Sequence, residues 1–134
     1  MEIKHIFVVG AGTMGNGIAQ VAATSGYQVT LMDVVPEQLE RANTTIAKSV
    51  EKLATKGTIT EAQKTSALSI STTTSLQSIE QAGLVIEAAT ENPELKFKIF
   101  RDLDQRAHQD AILASNTSSI SITKIAAATR RPEK

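Results

Sequence analysis

Two features of the sequence could do chemistry. The first is Gly10-Ala11-Gly12-Thr13-Met14-Gly15, a G-x-G-x-x-G run. The second is Asp33, which closes an apolar stretch from Tyr27 to Met32. Gly10 permits a tight turn. Gly12 has no Cβ, so the backbone can approach a diphosphate. Gly15 lets a following helix sit close to the strands. The unpaired N–H groups at a helix start, with the helix dipole, hold negative phosphates; Thr13 and Met14 belong to that first turn. Asp33 would accept hydrogen bonds from the ribose hydroxyls of an adenosine and repel a 2′-phosphate, which favours NAD over NADP. The competing reading is a plain strand, turn and helix with packing glycines, and a solvated acid at a strand end.

The motif carries weight only if strands and a helix stand in register around it. Ile3 to Val9 is apolar and β-branched, so it reads as a buried strand. Thr13 to Ser25 follows with Met14, Ile18, Val21 and Ala22 at helical spacing, and Gly26 suits its end. Tyr27 to Met32 is a second strand. Pro36 opens a helix through Leu39, Ile46, Val50 and Leu53 that stops at Gly57. Thr60 and Gln63 form a capping box for a short helix to Leu68. A weak third strand spans Leu68 to Thr72, and Ser75 caps a short helix from Leu76 to Ala82. Leu84 to Ala89 is a fourth strand, buried on both faces by its composition. A helix from Pro93 to Arg106, capped by Asn92, presents Leu95, Ile99 and Leu103 on one face. Ala111 to Ala114 is a fifth strand, and Ser121 to Ala128 a last helix. This alternation predicts an α/β fold, a Rossmann-type, doubly wound, mainly parallel sheet covered on both sides.

In such a fold ligands sit beyond the carboxyl ends of the strands. The loops Ala88 to Asn92 and Ser115 to Ser119 should therefore line the crevice. The second is dense in short polar side chains, able to orient a nicotinamide and a small oxygenated substrate. These residues equally suit caps for the helices that follow.

Composition narrows the partners. Lys+Arg and Asp+Glu are both 14, so the net charge is zero and no basic stripe invites nucleic acid. Aromatic residues are 3%, which leaves few rings to stack bases and requires an aliphatic core. There is no Cys, which excludes disulfides, zinc thiolates and a thiol nucleophile; no metal site is expected. No apolar run approaches the roughly 18 residues of a membrane span, and Met1 to Val9 reads as a strand and not a leader. The expected location is the cytoplasm.

Three stretches together carry more than a fold: Val9 to Gly15, Leu84 to Ala89, and Ile112-Leu113-Ala114-Ser115-Asn116-Thr117-Ser118-Ser119. They resemble the 3-hydroxyacyl-CoA dehydrogenases, most of all the bacterial 3-hydroxybutyryl-CoA type, over essentially the whole chain. The resemblance implies an oxidoreductase that passes hydride between NAD and the C3 hydroxyl or ketone of a short-chain 3-hydroxyacyl-CoA. It implies that Ser118 bonds the substrate oxygen and that Asn116 helps fix the ring or the substrate. Glu91 and Lys96 match positions that contact the cofactor. Ser49 and Lys56 match positions that touch the CoA moiety, and Lys52 lies one turn before Lys56 on the same helix face. Without the resemblance, Lys52 and Lys56 read as a solvated helix face.

The family pattern continues past Arg-Pro-Glu-Lys into a strand with His-Phe-Phe-Asn-Pro, whose His is the catalytic base. Residues 1–134 are thus expected to be an NAD-binding domain, truncated before its sixth strand and lacking the helical C-terminal domain. The parent protein is expected to be a homodimer or larger. His5 lies about 17 Å before Gly10 at 3.3 Å per residue, at the wrong end of the sheet. His108 follows the helix from Pro93 and lies toward the same far side. A general base must reach its proton, so this stretch is expected to be inactive alone. Two other functions share the glycine turn: a non-catalytic dinucleotide-binding module that reports redox state, and a related dehydrogenase acting on a sugar acid.

Overall fold

The computed structural model describes residues 4–76, 79–88, 93–108 and 111–115, and for 93–97 and 115 the backbone only. Strand β1 (His5–Val9) is buried at every position. Its apolar, β-branched sequence suits a strand covered on both faces. It pairs in parallel with β2 (Gln28–Met32) on one side and β4 (Leu84–Glu87) on the other. The edges are β3 (Ser71–Thr73), parallel to β2, and β5 (Ile112–Ser115), parallel to β4. The order β3-β2-β1-β4-β5 is that of a doubly wound dinucleotide fold.

The helices α1 (Thr13–Thr24), α2 (Pro36–Thr55), α3 (Glu61–Leu68) and α4 (Pro93–Arg106) fill the connections. On one sheet face Ile6, Val8, Val29 and Leu31 meet Ala19 and Ala22 of α1 and Leu39, Ala42, Ile46 and Val50 of α2. On the other, Phe7, Val9, Val85 and Leu113 meet Phe100 and Leu103 of α4. Phe7 and Leu31 are wholly enclosed, each stabilising the fold by roughly 1.5–3 kcal/mol.

Helix α2 starts on Pro36 and buries residues three or four apart, with its charges outward. It ends where Gly57 N–H bonds Ala54 C=O and Thr58 N–H bonds Leu53 C=O. Helix α1 ends in the same way, Gly26 N–H on Ala23 C=O and Tyr27 N–H on Ala22 C=O. Both are Schellman stops. The Thr60–Gln63 capping box forms as the sequence predicts, and the Gln63 amide also donates to Thr24 C=O, which ties α3 to α1.

Four local expectations shift. In α1 the packed face is Gly15, Ala19, Ala22 and Ala23, while Met14 and Val21 are exposed. Small residues allow the close approach to the sheet, so the larger apolar side chains turn aside. They border a groove of about 560 Å³ with Ile18, Tyr27 and Ile86. The third strand begins at Ser71, because α3 carries Leu68 as its last residue. Of the expected helix at 76–82, the described residues show one 3-10 turn, Ile79–Gln81. Leu84 and Ile86 of β4 are half-buried, where two-sided burial is expected from composition. Asn92 and the helix expected at Ser121 to Ala128 lie outside the described residues.

Candidate functional site

The strands end together at one edge, and short bonds across the ladder fix that edge. Gly10 N–H donates to Met32 C=O at 2.7 Å, Ala88 N–H to Val9 C=O at 2.8 Å, and Asp33 N–H to Thr73 C=O at 3.1 Å. Crossovers from β1 and from β4 leave to opposite faces of the sheet, as the two core clusters record. A crevice between diverging connections is where such folds bind ligands.

The glycine turn occupies this edge. Gly10 has φ 105°, a backbone state that a side chain disfavours. Gly15 is required by contact: a Cβ built on it would lie 1.6 Å from Gly10 O. A Cβ on Gly12, in contrast, meets none of the described atoms within 4 Å. The two glycines are therefore needed for different reasons. Gly15 brings α1 onto the turn, and Gly12 keeps a surface clear.

Gly12 is also the N-cap of α1, and no side chain caps it. The first intrahelical bond is Asn16 N–H to Gly12 C=O at 2.9 Å. The amides of Gly12, Thr13, Met14 and Gly15 precede it, so they have no partner within the helix. No acidic residue lies in the first turn to answer its dipole. This is a cradle for an anion.

Asp33 stands across the turn, partly exposed. Its Oδ2 accepts from Ala11 N–H and its Oδ1 from Val35 N–H, both at 2.9 Å. Each oxygen keeps a second lone pair, able to accept a ribose hydroxyl. The pattern of residue types does not announce the Ala11 bond, because the donor is a backbone group. Glu87 is a second acid at this edge, fully buried at the end of β4 beside Val9 and opposite Ser115 in register. Its signal in the sequence is an acid closing an apolar strand.

The remaining site residues fall elsewhere. Lys96 lies in α4, its side chain outside the described residues, as are Glu91, Asn116 and Ser118 altogether. Ser49, Lys52 and Lys56 lie on the second half of α2 and at its end. Ser49 is about 20 Å along the helix from Pro36 at 1.5 Å per residue, well away from the glycine turn. Its hydroxyl accepts from the Gln20 amide at 3.0 Å, joining α2 to α1, while Lys52 and Lys56 are exposed.

His5 is buried at the amino edge of the sheet, its Nε2 2.8 Å from Thr30 Oγ1. Burial pushes its imidazole below the ordinary value. His108 follows α4 and precedes β5, hence at the same far edge. Among the described residues no cluster could hold a metal ion. None of the described helices is long and apolar enough to cross a membrane.

A parallel sheet of this order, a glycine turn opening onto a bare helix start and an acid at the end of the next strand define a dinucleotide-binding domain of the Rossmann class. The family model described as "3-hydroxyacyl-CoA dehydrogenase, NAD binding domain" matches residues 5–134. The chain belongs to that family, and its cofactor is NAD.

The probable 3-hydroxybutyryl-CoA dehydrogenase of Bacillus subtilis is 46% identical over 135 residues, 100% of this chain and 47% of that protein. The 3-hydroxybutyryl-CoA dehydrogenase of Bradyrhizobium diazoefficiens is 47% identical, over 98% of this chain and 45% of that protein. The crystal structure of (S)-3-hydroxybutyryl-CoA dehydrogenase from Ralstonia eutropha superposes with a TM-score of 0.92 at 46% identity, over 98% of this chain and 47% of that one. The chain spans about half the length of the curated relatives it matches.

Proposed function

We propose that residues 1–134 are the cofactor domain of an NAD-dependent 3-hydroxyacyl-CoA dehydrogenase acting on short-chain substrates, 3-hydroxybutyryl-CoA or acetoacetyl-CoA. The observation that carries this is the bare first turn of α1, cleared at Gly12 and faced by Asp33. The strong likeness to 3-hydroxybutyryl-CoA dehydrogenases supports the substrate class.

The residues present fit the cofactor. The amides of Gly12, Thr13 and Met14 would hold the diphosphate. Asp33 would accept from the unphosphorylated ribose and repel a 2′-phosphate. When bound, the nicotinamide supplies the acceptor or donor of a hydride at C3 of the substrate. Glu91, Lys96 and Asn116 would contact the cofactor, and Ser118 would hydrogen-bond the substrate oxygen. Ser49, Lys52 and Lys56 would meet the CoA moiety. Ser49 would do so by donating its O–H, since the bond from Gln20 occupies only one acceptor lone pair of the hydroxyl.

The general base lies outside this chain in our reading. The sequence has two His, and both lie at the far edge of the sheet from the glycine turn. A sixth strand would bring the base, and a further helical domain would close the crevice. The parent protein is then a dimer or larger.

Calorimetry with NADH and NADPH, followed by an assay with acetoacetyl-CoA, tests this. The 134-residue chain should bind NADH at least about tenfold tighter than NADPH and show no turnover. Failure of a folded sample to bind either nucleotide would overturn the cofactor site. Ordinary turnover would overturn the placement of the base.

A further inference from the structure

Asp33 has a task in this fold that precedes any ribose. Its carboxylate spans two backbone amides that follow neighbouring strands, Ala11 in the glycine turn after β1 and Val35 in the loop that leaves β2. Ala11 is 2% exposed, so water cannot readily replace the carboxylate as its partner. The neighbouring Gly10 amide is held by Met32 C=O. The first two amides after β1 are thus both consumed by the end of β2, and the next four, Gly12 to Gly15, have no partner within the helix.

We infer that Asp33 is a positioning residue for the glycine turn: it fixes the backbone that grips the diphosphate, beside any contact it makes to the sugar. This rests on the dinucleotide reading above and deepens it. The consequence is specific. Removing the carboxylate weakens the hold on a ligand that has no ribose hydroxyls at all. A residue acting through the hydroxyls alone would not do this.

The probe is 2′,3′-dideoxyadenosine 5′-diphosphate, which keeps the diphosphate and lacks both hydroxyls. Asp33→Ala and Asp33→Asn are compared with each other, because both remove the negative charge. Asn keeps one acceptor oxygen for the buried Ala11 amide, and the exposed Val35 amide can turn to water. Asp33→Asn should bind the probe about tenfold tighter than Asp33→Ala, the cost of one buried donor left without its acceptor. Its nucleotide-free form should also melt several degrees higher. Equal affinities and equal melting temperatures would overturn the inference.

Amide hydrogen exchange on the unaltered chain without nucleotide gives a second readout that needs no variant. The Ala11 amide should be protected; exchange at the rate of an open loop would overturn the inference. Failure of the unaltered chain to bind NADH at saturating concentration would overturn the dinucleotide reading instead, whatever the exchange data show.

Discussion

Gly12 and Gly15 are three residues apart in one motif, yet the fold uses them differently. Ala at Gly15 would drive a methyl into Gly10 O. Overpacking of this kind costs about 1–3 kcal/mol or more, and backbone can relieve it only by lifting α1 off the turn. Ala at Gly12 meets none of the described atoms within 4 Å and keeps an ordinary φ of −72°. Its cost to the fold should stay within about 1 kcal/mol, that of a poorer N-cap. Thermal melts and NADH titrations of both variants should separate the two. Gly15→Ala loses stability, and Gly12→Ala keeps it but loses NADH affinity at least about tenfold. Equal loss of stability in both would refute the division. At this scale the motif was legible as residue types in order. The anchoring of Ala11 by Asp33 was not, because it joins positions 22 apart through a backbone donor.

Elements with strong periodicity were readable from sequence. Helix α2 follows its apolar spacing from Pro36, and α3 follows its capping box. Helix α1 shows where periodicity misleads. Its larger apolar residues are regularly spaced, but contact distance decides which face turns inward. The turn at Gly10 and Gly15 brings the helix so close that only alanine-sized residues fit beneath it. The same reasoning accounts for β3. Leu68 draws an apolar reading toward a strand, whereas the capping box propagates helix through it and leaves the polar Ser71–Thr73 at the sheet edge. A pair of substitutions on α1 measures the inversion. Ala19→Leu, at a wholly buried position, should destabilise by about 1–3 kcal/mol. Val21→Ser, at a position 66% exposed, should change stability by no more than about 0.5 kcal/mol. Chemical denaturation of each reads the difference, and the opposite ranking would restore the face expected from periodicity.

Across the whole molecule, the two edges of the sheet have separate physical characters. The carboxyl edge holds the glycine turn and the uncapped start of α1, and the amino edge holds the buried His5–Thr30 bond. The His5 imidazole is less basic in the fold than in the unfolded chain, because burial disfavours its charged form. The unfolded chain therefore binds the proton first as pH falls. The stability tied to this residue is intact above the unfolded value of 6.5 and is lost as pH drops toward the lower folded value. Between about pH 6.5 and 5 the melting temperature should fall more steeply for the unaltered chain than for His5→Gln. Parallel slopes would show that His5 is not the group responsible.

Tyr27 has an optical consequence. It is the chain's single Tyr, there is no Trp, and it sits just past the stop of α1, at the edge remote from the uncapped start of that helix. Its ultraviolet emission reports on unfolding at that end. The blue emission of a reduced nicotinamide, free of any indole background, reports on the other. One cuvette can therefore follow, in two colours, whether the nucleotide lets go before the sheet comes apart.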